Sequence, residues 1–117
     1  MVLWFPLVKE ALSRQLKAGS QLIIALDRTQ WKEYNVLMVS AIVQKRTFPI
    51  FSTLLDKQGA SNLAEQQQVL PPVITLLKKY KLIIIGDREF HSIELAQWLH
   101  RQRVSFVLRQ KSNTTFR

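Results

Sequence analysis

Two aspartates stand out by their position. Asp27 closes the unbroken apolar run Leu22-Ile23-Ile24-Ala25-Leu26, and Asp87 follows Leu82-Ile83-Ile84-Ile85-Gly86. An arginine follows each, Arg28 and Arg88. Short apolar runs of this kind predict strands buried on both faces. In open α/β sheets, sites form just beyond the C-terminal ends of parallel strands. If these two strands are neighbours, their backbones lie ~5 Å apart and both carboxylates enter one small volume. Two carboxylates that close repel each other unless a cation neutralises them. Mg²⁺ is the natural cation, because it takes hard oxygen ligands and shares its shell with phosphate oxygens; Mn²⁺ can substitute. Two such ions ~4 Å apart can activate an attacking oxygen and stabilise a leaving one, which is phosphodiester chemistry. Taken singly, each aspartate reads equally as a turn or cap residue. The pair carries the argument.

Charge points the same way. Lys and Arg number 17 against 8 Asp and Glu, a net charge of +9. Such a surplus favours a polyanionic partner, of which nucleic acid is the usual one. Arg101, Arg103, Arg109, Lys111 and Arg117 make the C-terminal stretch densely basic, with no acid among them. Cysteine is absent, which excludes disulfides and thiolate metal sites and fits a cytoplasmic setting. Apolar residues make up 47%, enough for a core. The N-terminus lacks a basic leader and meets Lys9 and Glu10 early, so a signal peptide is not expected. No run approaches bilayer length, so no membrane partner is expected.

The elements that must position the aspartates follow from periodicity. Leu7, Ala11, Leu12 and Leu16 predict an amphipathic helix over residues 6–18, with Pro6 in its first turn and Gly19 at its stop. After the strand ending at Asp27, residues 28–34 read as a polar turn. Val36 to Val43 and Phe48 to Leu55 read as second and third strands joined as a hairpin through Gln44-Lys45-Arg46. Pro49 cannot donate a ladder hydrogen bond and predicts a sheet edge for the third strand. Asn62 and Glu65 resemble a capping box that opens a helix, which Pro71 and Pro72 are expected to kink or split. A fourth strand spans 82–85, Ser92 caps a second helix, and Val104 to Leu108 form a fifth strand. Residues 110–117 read as a loop or frayed end. The order β-β-β-α-β-α-β gives a mixed five-stranded α/β sheet flanked by helices.

At the two aspartates the chain resembles a known family. Ala25-Leu26-Asp27-Arg28-Thr29-Gln30-Trp31 is similar to the first-aspartate segment of bacterial insertion-sequence transposases of the DDE type, and Gly86-Asp87-Arg88-Glu89-Phe90 to their second. The class is the one whose third acid lies in a Tyr-Arg-Glu-Lys signature. The resemblance covers roughly residues 20–111 and implies a ribonuclease H-like fold in which the first and fourth strands are adjacent. It implies metal-dependent DNA strand cleavage and strand transfer during transposition, with Asp27 and Asp87 as catalytic metal ligands. The implied partner is double-stranded DNA, at transposon ends and target, with a homodimer as the assembly. After Leu108 there is no acidic residue and no Tyr-Arg-Glu-Lys spacing. The expectation is therefore a catalytic domain incomplete at its C-terminus over residues 20–117, behind an N-terminal helical segment at 1–19. On that expectation the chain is inactive alone, with a catalytically dead DNA-binding or dimerising remnant as the alternative reading.

Secondary residues divide between chemistry and scaffolding. Arg28, Arg88, Arg109 and Lys111 are candidate DNA-backbone contacts, set against turn, ion-pair and solvated roles. Glu89 is expected to position Arg88 or an outer-sphere water. Trp31 reads as packing before base stacking, and Trp4 and Trp98 as core. His91 and His100 are wrongly spaced for a zinc pair.

Overall fold

The computed structural model describes residues 2–3, 5–90 and 92–108. The elements run β1 (Val2–Leu3), α1 (Phe5–Gln15), β2 (Gln21–Trp31), β3 (Tyr34–Val43), β4 (Arg46–Leu54), α2 (Leu63–Leu76), β5 (Lys81–Gly86), a 3₁₀ turn (Arg88–Phe90), α3 (Ile93–Arg101) and β6 (Ser105–Leu108). All five expected strands are present, in the expected order. The two-residue β1 joins them at one edge, giving the strand order β1-β4-β3-β2-β5-β6.

β2, β3 and β4 form an antiparallel meander, and β5 and β6 continue the sheet parallel to β2. The crossovers β4-α2-β5 and β5-α3-β6 both advance in the same direction across the sheet. Right-handed crossovers therefore set α2 and α3 on one common face. That face carries the main core: Leu22, Ile24, Leu26, Leu37, Val39, Ala41 and Ile84 are buried, with Val69, Leu70 and Val73 from α2 and Leu95 and Leu99 from α3. The opposite face is only partly covered, and Ile23 is 38% and Val107 47% exposed. The expectation that the β2 run is buried on both faces thus holds fully for one face and only in part for the other, where Ala25 is buried and Ile23 exposed, because both crossover helices fall on the same side.

Three further expectations change. β2 does not end at Asp27; it runs to Trp31, held by antiparallel pairing to β3 as far as Trp31↔Tyr34. The polar residues 28–30 are strand because β3 supplies their ladder, and the connecting turn shrinks to residues 32–33. β4 is not wholly an edge strand, since β1 pairs with it at Phe51 and Ser52. Pro49 still obeys the edge rule locally. It lies where β1 does not reach, beside a bulge at which pairing passes from Val39↔Phe51 to Ser40↔Pro49. Finally, α2 continues through Pro71 and Pro72 and is not split. The prolines remove two donors, but Gln66, Val69, Leu70 and Val73 keep one buried face across the interruption, and the Leu77 N–H still reaches the Val73 carbonyl at 3.0 Å.

The turns that set the meander are local. Gln44 and Lys45 both take positive φ, 51° and 68°, the two-residue turn whose twist matches antiparallel strands. Asn62 caps α2 in a reciprocal box: its side chain accepts from the Glu65 N–H, and Glu65 accepts from the Asn62 N–H. Ser92 caps α3 by accepting from the Leu95 N–H at 3.0 Å. No helix among the described residues is long and apolar enough to cross a membrane.

Candidate active site

The parallel register of β2 and β5 brings the aspartates together. Pairing runs from Gln21↔Lys81 to Ala25↔Ile85. Extended by two residues, the same register sets Asp27 level with Asp87. Asp27 is exposed and, by strand alternation, lies with Ile23 and Ala25 on the face opposite Leu22, Ile24 and Leu26. Asp87 is half-buried where β5 gives way to the 3₁₀ turn. It leaves the strand at Gly86, which packs directly under Phe90.

A backbone N–H orients each carboxylate. Asp27 Oδ1 accepts from the Arg28 N–H at 2.8 Å. Asp87 Oδ1 accepts from the Glu89 N–H at 3.0 Å, an Asx turn, and its carbonyl accepts from the Phe90 N–H. Among the described residues neither aspartate is in a salt bridge. Two hard carboxylates, each fixed through one oxygen, suit an oxygen-seeking divalent cation. The described residues hold no cluster of three or more potential metal-ligating His, Cys, Asp or Glu side chains.

Behind the aspartates lies a polar network. Arg28 Nε donates to Glu89 Oε1 at 2.7 Å, with the two side chains 20% and 12% exposed. Arg28 Nη1 donates to Asn35 Oδ1 at 2.9 Å. Asn35 is buried, and its Nδ2 donates to the carbonyls of Lys57 and Gly59. Glu89 Oε2 accepts from both the N–H and the hydroxyl of Ser61, at 2.9 and 2.8 Å, and buried Gln66 donates to the Ser61 hydroxyl. Gln30 and Gln58 add a side-chain hydrogen bond between β2 and the same loop. The network thus joins β2, β3, the loop from β4 to α2, the start of α2, and the turn after β5.

Glu89 was expected beside Arg88; its partner lies across the sheet, at Arg28. Arg28, a candidate DNA contact, has its Nε and Nη1 engaged within the protein. Arg109, Lys111, Trp4 and His91 lie outside the described residues, as does the expected loop at 110–117, and the side chains of Arg88 and Trp31 are likewise not described. Trp98 packs against the core as expected. Asn35, Ser61 and Gln66 were missed. Only Asn35 had a discernible signal, as a polar residue at the head of an otherwise apolar strand. His100, Arg101 and Arg103 line a cavity of about 830 Å³ with Val104 and Phe106, at the end of the sheet opposite the aspartates.

A mixed sheet with its meander, parallel extension and flanking helices defines a ribonuclease H-like fold. Solved structures similar in shape agree. They include the catalytic core domain of BIV integrase (TM-score 0.51, 11% identity, covering 78% of this chain and 56% of that one). The HTLV-2 integrase catalytic core, solved with magnesium in a dimeric form, gives TM-score 0.50 and 14% identity over 80% of this chain and 62% of that one. The Mos1 transposase catalytic domain, solved with raltegravir and manganese, gives TM-score 0.50 and 13% identity over 93% of this chain and 58% of that one. The chain therefore spans little more than half of each of these three. No curated protein matches it. At the level of sequence the transposase DDE domain matches residues 18–117, and the chain belongs to that family.

Proposed function

We propose that this chain carries two carboxylates of a metal-dependent DNA-cleaving and strand-transferring centre that acts in transposition. The observation that carries the reading is the parallel pairing of β2 and β5, which runs to Ala25↔Ile85 and leaves Asp27 and Asp87 two residues beyond its end, each carboxylate accepting from a backbone N–H. Asp27 and Asp87 would hold Mg²⁺, or Mn²⁺ in its place. A divalent cation there supplies Lewis-acid activation of a phosphodiester and neutralises developing charge. The chain's own part is to present one carboxylate from β2 and one from the turn after the neighbouring β5. The open sheet face beside Asp27 leaves access for a duplex, and the net charge of +9 favours its approach. Arg88, Arg109 and Lys111 are proposed to contact the DNA backbone. The magnesium and manganese of the HTLV-2 and Mos1 structures support the choice of cation by analogy.

Strand cleavage in this class uses a third acid, which the resemblance places on a helix after the fifth strand. We assign none of the described carboxylates to that role. Glu89 has both oxygens engaged, and Glu94 lies in the first turn of α3. The chain by itself is accordingly proposed to bind metal and DNA without completing the reaction. Titration with Mn²⁺ tests the site: binding is expected in the wild-type chain and is lost in Asp27→Asn and in Asp87→Asn. Binding that persists unchanged in both variants removes the assignment.

A further inference from the structure

We infer that Arg28 and Glu89 are positioning residues whose ion pair sets the spacing of the Asp27 and Asp87 carboxylates. The inference rests on the metal-site reading above and assigns these two side chains a part within it. Backbone pairing between β2 and β5 stops at Ala25↔Ile85, short of both aspartates. Beyond that point the ladder no longer ties the two segments. The Arg28–Glu89 pair, at 2.7 Å, joins them instead.

Each member of the pair also controls one carboxylate through its own backbone. The Arg28 N–H donates to Asp27 and the Glu89 N–H to Asp87. Holding the two side chains together therefore holds the two N–H groups that aim the carboxylates. The pair is itself braced. Buried Asn35 takes Arg28 Nη1, and Ser61, buried and backed by buried Gln66, takes the second oxygen of Glu89. A pair held at both ends in this way is a strut. Arg28 commits Nε and Nη1 to these contacts, and a metal-seeking glutamate would need a free oxygen, which Glu89 lacks.

Simple electrostatics and positioning make opposite predictions. By charge alone, removing the Arg28 cation tightens cation binding at the aspartates, and removing the Glu89 anion weakens it. If the pair positions the carboxylates, both removals weaken binding. Free Mn²⁺ measured by electron paramagnetic resonance over the full chain reads the difference. Arg28→Gln and Glu89→Gln are each expected to raise the Mn²⁺ Kd by about 10- to 100-fold, the range for residues that orient metal ligands. The double variant is expected to be no worse than either single one. Unchanged or tighter binding in Arg28→Gln overturns the inference.

A metal-free measurement stands beside it. Amide hydrogen exchange at Arg28 and Glu89 is expected to accelerate in Arg28→Gln while the core amide of Ile84 keeps its protection, which also shows that the variant folds. Unchanged exchange at both amides overturns the inference as well. If the wild-type chain binds no Mn²⁺, the metal reading falls and the exchange result alone decides whether the pair is a strut.

Discussion

Asn35→Leu tests how the site is braced. Asn35 is 1% exposed and makes three side-chain hydrogen bonds: from Arg28 at 2.9 Å, and to the carbonyls of Lys57 and Gly59 at 3.1 and 2.8 Å. Leucine shares the branched shape and is bulkier, so no cavity opens and the lost polar contacts dominate the effect. Lys57 and Gly59 sit on an exposed loop where water can reach their carbonyls, so each lost bond costs about 0.5–1 kcal/mol. The bond from the Arg28 guanidinium is charge-assisted and sheltered, and its loss costs about 1.5–3 kcal/mol. The added apolar burial returns roughly 1 kcal/mol. The net expectation is a loss of about 1.5–4 kcal/mol, a large share of the roughly 5–15 kcal/mol that holds a domain.

Urea unfolding followed by tryptophan fluorescence measures this loss, read as a lower midpoint at unchanged slope. Asn35→Asp sharpens the same test. It keeps an acceptor for Arg28 but turns an oxygen toward two carbonyls that need a donor. It is expected to destabilise despite its closer shape and added attraction to Arg28. A loss below about 0.5 kcal/mol in Asn35→Leu, or a harmless Asn35→Asp, would falsify the view that this side chain anchors the loop to β2.

Two more outcomes follow from the geometry. A Cβ added at Gly86 would meet Phe90 Cδ2 at 3.0 Å and Cβ at 3.1 Å, and Phe90 is 1% exposed and cannot swing aside. Gly86→Ala is expected to cost about 1–3 kcal/mol in thermal or urea unfolding and to weaken Mn²⁺ binding by displacing Asp87, the next residue; a variant with wild-type stability refutes the packing argument. At Glu65, burial acts to raise the carboxyl pKa, but the Asn62 N–H and the Lys57 ammonium outweigh it and hold the group below its ordinary 4.5. The folded state then binds the proton less readily than the unfolded chain. Glu65 contributes its stabilisation fully above 4.5 and loses it as pH falls through the lowered folded value. In Glu65→Gln that part of the acid dependence is expected to vanish, and a wild-type profile in the variant counts against the box as its source.

What could be read from residue order was what depends on near neighbours. The apolar runs around Ile24, Val39 and Ile84 are strands because no other element of that length buries so continuous a set. The caps at Asn62 and Ser92 satisfy N–H groups three residues away, so their signatures are local. The reading failed where a distant partner decides. Residues 28–30 look like a turn until β3 supplies their ladder. Pro71 and Pro72 look like a break until the sheet offers α2 a continuous surface. Ile23 looks buried until the crossovers place both helices on the other face. The bracing network is the extreme case: Arg28, Asn35, Ser61 and Glu89 come from four segments, and no spacing rule predicts that they meet.

The difference between the two aspartates follows from the same topology. Asp27 lies inside β2, and antiparallel pairing to β3 continues four residues beyond it, through Asp27↔Met38 to Trp31↔Tyr34. Its backbone is therefore fixed on one side whatever happens on the other. Asp87 lies past the end of β5, in a turn held by the Glu89 and Phe90 N–H groups and by the packing of Phe90 under Gly86. A ladder constrains every residue it includes, whereas a turn is only as rigid as its few contacts. Asp87 is thus the member whose position depends on side chains, and the Arg28–Glu89 strut ties it to the member whose position does not. On the proposed reading the two aspartates supply the metal oxygens, and their relative placement is set from β2 outward, through the Arg28–Glu89 pair.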